Sequence, residues 1–231
     1  MFEISPAEWT AILLSLRVAI VATLFATPFG IALAWLLPRR DFWGKSILDA
    51  TVHLPLVLPP VVTGYLLLLT FGRRGLIGAW LADHLGIVFA FRWTGAALAC
   101  GVMSFPLLVR PIRLSIEAID RRLEQAASTL GAAPWRVFAT VTLPLALPGV
   151  LAGMVLGFAK AIGEFGATIT FVSNIPGETQ TISSAIYSLI QTPDGDAAAG
   201  RLVIISIVIA MAALIASEWF ARRALQRLHG N

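Results

Sequence analysis

Charge is scarce in this chain. Only 13% of its 231 residues are Asp, Glu, Lys or Arg, about half the share usual in soluble domains. Apolar residues make up 58% and mean hydropathy is +0.83, so a water-soluble globule is excluded. Cysteine is nearly absent. Cys100 stands alone in an apolar run, which rules out a disulfide framework and a cysteine metal site. His53, His84 and His229 lie far apart without ligand spacing, so no metal site is expected. There is no Walker A sequence, so this chain is not expected to hold ATP, and no cofactor is expected on it. Nor does any apolar run contain the His, Asp or Cys cluster that a membrane-embedded enzyme needs.

What is present is blocks. Five apolar stretches are long enough to cross a bilayer at about 20 residues each: Thr10–Leu37, Val52–Phe71, Trp93–Val109, Pro144–Ile162 and Leu202–Phe220. The expected fold class is an all-α polytopic membrane protein with about five transmembrane helices, residues 1–231 forming one membrane domain. The first block is not expected to be a cleaved signal peptide. It is too long, and Glu3 and Glu8 precede it where a basic region belongs. Pro28 and Gly30 interrupt the first block, and Pro55, Pro59 and Pro60 open the second. Pro106 lies in the third and Pro148 in the fourth. Each proline frees a carbonyl and is a candidate kink.

The net charge of +4 is explained by topology rather than by nucleic acid, which is not an expected partner. With five spans, eleven basic residues fall on one side: Arg39, Arg40, Lys45, Arg110, Arg113, Arg121, Arg122, Arg136, Arg222, Arg223 and Arg227. Only Arg73, Arg74, Arg92 and Arg201 fall on the other, with Arg17 and Lys160 inside spans. The positive-inside rule then puts the N-terminus outside and the C-terminus in the cytoplasm. Arg110 and Arg113 read as anchors at the cytoplasmic boundary. The outer connection around Gly75–Arg92 carries Leu76, Ile77, Trp80 and Leu81, the pattern of a short interfacial helix. The outer segment 163–201 is too long for a plain connector. Ile182, Ile186, Leu189 and Ile190 give it a short amphipathic helix, and the sequence leaves open whether it lies on the membrane or dips into the bundle.

One polar insert is unusually organised. Ile116, Ile119, Leu123, Ala126, Ala127 and Leu130 recur at steps of three and four, so they are expected on one helical face. Asp120, Arg121, Glu124 and Gln125 fall largely off it. Gly131 follows where a helix needs a left-handed residue to end, and Pro134 suits the first turn of a second helix. Trp135, Phe138 and Val141 continue that helix until the bilayer resumes at Leu143-Pro144. The expectation is a cytoplasmic helix-turn-helix over about 113–143. Such a knob either fills a partner's groove or rests on the membrane surface.

Gln125-Ala126-Ala127, Leu130-Gly131-Ala132, Phe138, Leu143-Pro144 and Pro148-Gly149 resemble the EAA loop of ABC importer permeases. The family's glutamate position is held here by Gln125, with Glu124 one residue earlier, so Gly131 is the firmer correspondence. Nearly end to end, the chain is also similar to the molybdate branch of that family. The resemblance is carried by His53-Leu-Pro-Leu-Val-Leu-Pro-Pro60, Gly72-Arg-Arg-Gly75, Met103-Ser-Phe-Pro106 and Gly163-Glu-Phe-Gly-Ala-Thr-Ile-Thr-Phe-Val-Ser-Asn-Ile-Pro-Gly-Glu178. Sulfate and thiosulfate permeases share the Gly163-Glu164-Phe165-Gly166 start.

The resemblance implies a type I ABC importer permease fold in a bacterial cytoplasmic (inner) membrane. It implies a homodimer of permease subunits, two ABC ATPase subunits that use ATP-Mg, and a periplasmic molybdate-binding protein. Glu124, Gln125, Ala126, Ala127, Gly131 and Phe138 are then the ATPase-coupling residues. A tetrahedral dianion needs hydrogen-bond donors, and Thr168, Thr170, Ser173 and Asn174 supply them beside Gly163, Glu164, Phe165 and Gly166. The segment 163–174 is therefore the expected pathway mouth or gate, with a plain outer loop as the alternative. Lys160 and Glu164, spaced i, i+4, are expected to pair, structurally or as part of a gate. Arg17, inside the first block, either snorkels outward or faces the bundle, and it is the candidate for attracting the anion. Tungstate, sulfate and thiosulfate are the alternative oxyanions. A gradient-driven transporter would be expected to carry midplane ionisable residues and an internal repeat, and neither is seen.

Overall fold

The computed structural model describes residues 4–229, with side chains through residue 216 and at Trp219. Glu3 and the side chains of Arg222, Arg223 and Arg227, used above for topology, lie outside the described residues. Every regular element among these residues is helical. Helix α1 spans Pro6–Arg39 and starts at a capping box. Ser5 Oγ accepts from the Glu8 amide, and Glu8 Oε2 accepts from the Ser5 amide at 2.6 Å, satisfying two amides that the first turn leaves open. The helix thus begins before Thr10, and Glu8 is its third residue rather than a flank. Pro28 does not interrupt it. One proline removes one hydrogen bond, whereas unwinding in an apolar surround would orphan several more.

The second apolar block is not one straight span. It is α2 (Lys45–Val57) followed by α3 (Pro60–Phe71), bent by 118°. Leu58 and Pro59 are both extended, with ψ of 143° and 133°. Each precedes a proline, which excludes the helical basin, and Pro60 restarts the helix at its first position. At 1.5 Å per residue the halves are only about 20 Å and 18 Å long, so neither alone crosses a core of about 30 Å. The expected interfacial helix is found as α4 (Leu76–Leu85), closed by Gly86.

Helix α5 (Trp93–Glu117) runs past the expected end at Val109 and takes in residues 113–117 of the expected insert. The rest of the insert comprises α6 (Arg121–Thr129) and α7 (Pro134–Val137), then a π turn over Phe138–Thr142 that runs into α8 (Leu143–Ile162). The second helix of the expected knob is therefore the first turn of a 29-residue helix, Pro134–Ile162. Helices α5 and α8 cross at backbone distance, because Gly149, Gly153 and Gly157 of α8 meet α5 at four-residue intervals. A Cβ on Gly153 would fall 2.4 Å from the Leu108 carbonyl oxygen, and one on Gly149 2.7 Å from that of Pro111. In a bilayer, close van der Waals contact between small residues drives helix association. Around this crossing Leu108, Val109, Ile112, Ile116, Ala146 and Val150 form an apolar core with Ala26, Ala34 and Val52.

The chain closes with α9 (Gly166–Val172), α10 (Ile182–Leu189) and α11 (Asp196–His229). Among the described residues four helices are long and apolar enough to cross a membrane, or five if the bent α2–α3 pair forms one span. The segment 163–201 folds into the bundle. Ala167, Phe171 and Val172 of α9 are fully buried with residues of α1 and α5. Ile182 and Ala185 of α10 pack with Ala11, Ile12 and Leu202, while Ile190 stays 57% exposed. The amide of Ile182 donates to Ser15 Oγ at 2.7 Å, and Arg201 at the start of α11 pairs with the buried Glu8 at 3.0 Å.

Candidate functional site

Two groups of sequence-selected residues sit at opposite ends of the bundle. At the basic end, Asp120 caps α6 by accepting from the Arg122 amide at 2.9 Å. This cap interrupts the apolar stripe read along 116–130. Ile116 belongs to α5 and is buried, Ile119 lies in the link, and only Leu123 to Leu130 continue on α6 and its cap. The helix closes in a Schellman motif: the Gly131 amide donates to the Ser128 carbonyl and the Ala132 amide to the Ala127 carbonyl. Gly131 has φ +86°, where side chains other than glycine's cost roughly 1–2 kcal/mol.

Glu124 is not on an outer face, as the stripe implied, but is the one buried residue of α6. Its carboxylate is paired with Arg39 at the end of α1 and accepts from the Thr142 hydroxyl in the π turn. One side chain thus ties α1, α6 and the root of α8 together. Burial raises the pKa of Glu124, but donation from Arg39 and Thr142 and the charges of Arg39 and Arg121 outweigh it, so the carboxyl sits below its ordinary value. Phe138 also turns inward, edge-on to Trp35 of α1 at 5.7 Å. Gln125, Ala126 and Gly131 are exposed, and Ala127 is half-buried. Leu130 (89%) and Trp135 (67%) stand largely uncovered beside them. The α6–α7 turn therefore has an anchored inner side and an apolar outer tip.

At the other end, α8 stops at Gly163 and the chain turns through Glu164 and Phe165 into α9. Glu164 is 1% exposed. It accepts from Lys160 Nζ at 2.6 Å and from the Ala167 amide at 3.0 Å, so the expected pair exists and also starts α9. Helix α9 lies against α3 at backbone distance. A Cβ on Gly64 would fall 2.5 Å from the Ala167 carbonyl oxygen, and one on Gly166 2.7 Å from Pro60 Cβ. The Phe165 ring packs 5.0 Å from Tyr187.

The four expected donors differ in availability. Thr168 is buried, and its hydroxyl donates to the Phe165 carbonyl. That of Thr170 donates to the Gly166 carbonyl. Asn174 Nδ2 donates to Ser188 Oγ at 2.6 Å, while its buried Oδ1 has no partner. Ser173 is exposed, with φ +64°. In this conformation the segment is a packed helical plug rather than an open ring of donors. Arg17 is exposed on α1, its guanidinium 3.7 Å above the Trp93 ring, a cation–π contact worth about 0.5–1 kcal/mol at an exposed site.

Sequence reading missed three features here. Arg39 is 85 residues from Glu124, and no local period links them. Thr142 lay hidden in what read as a returning span. The Gly149, Gly153, Gly157 stripe was readable from its four-residue spacing.

Residues 26–227 match the family described as "Binding-protein-dependent transport system inner membrane component". The "Molybdenum transport system permease protein ModB" of Escherichia coli (strain K12) is 64% identical over 95% of this chain and 96% of its own length. Its counterpart in Haemophilus influenzae is 57% identical over 97% of this chain and 98% of its own. Among solved structures, a bacterial alginate ABC transporter in complex with an alginate pentasaccharide-bound periplasmic protein superposes with TM-score 0.74. It covers 95% of this chain and 80% of that chain at 20% identity, and it speaks to the fold alone.

Proposed function

From the premise that this chain belongs to the family of binding-protein-dependent transport system inner membrane components, we propose that it is the membrane-spanning subunit of an ATP-driven molybdate importer. The observation that carries the reading is the 64% identity, almost end to end, with a molybdenum transport permease. ATP hydrolysis then resides in a separate ATPase subunit. Two copies of this chain form the pathway in a bacterial cytoplasmic membrane, and a periplasmic binding protein delivers the anion. The test is ATP hydrolysis by the reconstituted complex. A molybdate-loaded binding protein is expected to stimulate it; a complex that answers to sulfate but not to molybdate or tungstate overturns the assignment.

The basic-end turn supports a coupling role. Its uncovered Leu130 and Trp135 suit a groove on the ATPase, and its inner side transmits displacement to α1 and α8 through Glu124 and Phe138. ATP can drive the transporter only if it binds one conformation more tightly than the other. The turn's geometry then matters more than any single exposed contact. Gly131→Ala strains the left-handed cap and is expected to lower uptake per ATP hydrolysed several-fold. Gln125→Ala, which removes an exposed amide, is expected to change it less than about twofold. The reverse ranking would show that side-chain contact rather than the cap does the coupling.

The other end supports a gate. The broken pair α2–α3 meets α9 there, just past the end of α8, and discontinuous helices are where transporters build substrate paths. The anion passes when α9 moves off α3 and frees the Thr168 and Thr170 hydroxyls from their carbonyls. Joint Thr168→Ala and Thr170→Ala substitution is expected to lower molybdate uptake about tenfold while leaving basal ATP hydrolysis intact. Uptake at the unsubstituted level would remove these hydroxyls from the pathway.

A further inference from the structure

The basic end holds a second polar feature, which shares Arg39 with the tie to Glu124. A pocket of about 370 Å³ opens where α1, α2, α5 and the start of α6 converge, and its wall carries Arg39, Lys45, Arg113 and Arg121 against the single acid Glu117. We propose that this pocket binds the phosphate group of an anionic membrane phospholipid.

The cations on the wall are unequally matched. Arg113 is paired twice, with Asp49 at 2.9 Å and Glu117 at 2.9 Å, so its charge is matched. Arg121 makes no ion pair among the described residues; its guanidinium donates only to the Pro38 carbonyl at 3.3 Å. Lys45 is paired with Asp41 at 2.8 Å, but that carboxylate is 98% exposed, and such a contact contributes little. Arg39 uses one nitrogen on Glu124 and leaves a buried Nε–H without an acceptor. A phosphate diester offers the acceptors that these donors lack, and guanidinium groups match its geometry.

Position selects lipid over a soluble anion. The pocket lies at the basic ends of membrane-crossing helices, where headgroups sit. Beside it, the link between α1 and α2 presents Trp43, 96% exposed, and Phe42, 41% exposed. Aromatic rings at this level settle into the membrane–water interface. A basic pocket between spans on the cytoplasmic side is suited to an anionic headgroup, each nearby cation adding to the attraction.

The experiment titrates the detergent-purified permease–ATPase complex with phosphatidylglycerol and with phosphatidylcholine and counts bound lipid by native mass spectrometry. Unsubstituted complex is expected to retain phosphatidylglycerol in preference. Lys45→Gln with Arg121→Gln is expected to weaken it about fivefold per charge, about 25-fold together. Lys45→Arg with Arg121→Lys keeps the charge and is expected to bind within about twofold, which separates lost charge from lost fold. Arg73→Gln with Arg74→Gln, at the opposite end, is expected to have no effect. Equal lipid retention by the neutralised and unsubstituted complexes overturns the proposal, as does equal loss in both Lys45/Arg121 doubles. Displacement of the lipid by millimolar inorganic phosphate would assign the pocket to soluble anions instead. Lipid bound only after the ATPase is stripped away would make the pocket an ATPase contact. Either result ends the lipid assignment.

Discussion

Arg39→Ala is expected to destabilise the complex by about 2–3 kcal/mol and to lower uptake more than about tenfold. The substitution leaves Glu124 buried without its cation, and a broken buried pair costs about 3–5 kcal/mol. The side chains here retain 17% and 12% exposure, so solvent screening trims that figure. Glu124→Gln should be milder, because an amide oxygen still accepts from Thr142 and Arg39. The thermal unfolding midpoint and the uptake rate of the assembled complex provide the measurement, and an Arg39→Ala complex equal to the unsubstituted one in both would show the pair to be idle. A double Arg39→Met and Glu124→Met substitution separates two roles. Apolar replacement of both partners is expected to restore stability, and uptake returns with it only if the charges serve packing alone. The pH dependence has a definite sign. Glu124's folded pKa lies below its ordinary value, so the pair's contribution is complete above the unfolded value of 4.5 and is lost as pH falls through the lower folded one. Stability between about pH 6 and 8 should not titrate through this group.

Gly153→Leu is expected to prevent the permease from accumulating as a folded subunit. At this position a Cβ alone would lie 2.4 Å from the Leu108 carbonyl oxygen and 3.1 Å from Ile112 Cγ1. The first neighbour is backbone and cannot rotate away, so α8 must back off α5 along its length. Overpacking in a core costs about 1–3 kcal/mol even where side chains can adjust, and here they cannot. Gly157→Ala provides the contrast on the same stripe. Its nearest neighbour would be Leu108 Cδ1 at 3.4 Å, an ordinary contact with a side chain rather than with backbone, and near-normal accumulation is expected. The quantity of folded protein recovered in mild detergent ranks the two. Equal recovery would mean that the close crossing is not what holds these spans together.

Local features of this site were legible before the fold was known. Gly131 followed by Pro134 marked a left-handed cap and a restart, because only glycine enters that basin freely and proline suits a first helical turn. Lys160 and Glu164 declared themselves by one-turn spacing. Other readings failed for a shared reason. The stripe Ile116–Leu130 has helical period but straddles Asp120, whose side chain caps a new helix. The period registers neither that two helices supply it nor that, of its residues, only Ile116 is buried. Pro28 and the Pro59–Pro60 pair look alike as breakers. The first is carried within α1, while the second forces two successive residues out of the helical basin.

Partition into the membrane in four to five apolar helices follows from the sequence alone, because transfer free energy is a sum over residues that needs no knowledge of neighbours. The left-handed cap at Gly131 and the restart at Pro134 are likewise local backbone chemistry. Which partner Glu124 finds is not. Its role as the tie between α1 and α8, the docking of 163–174 against α3 and the basic pocket all depend on residues tens of positions apart meeting at particular distances. Those meetings are settled by how closely the helices can approach, at Gly30 on Leu108, Gly64 on Ala167 and Gly153 on Leu108. Packing of that kind is a property of paired surfaces, and no single segment carries it.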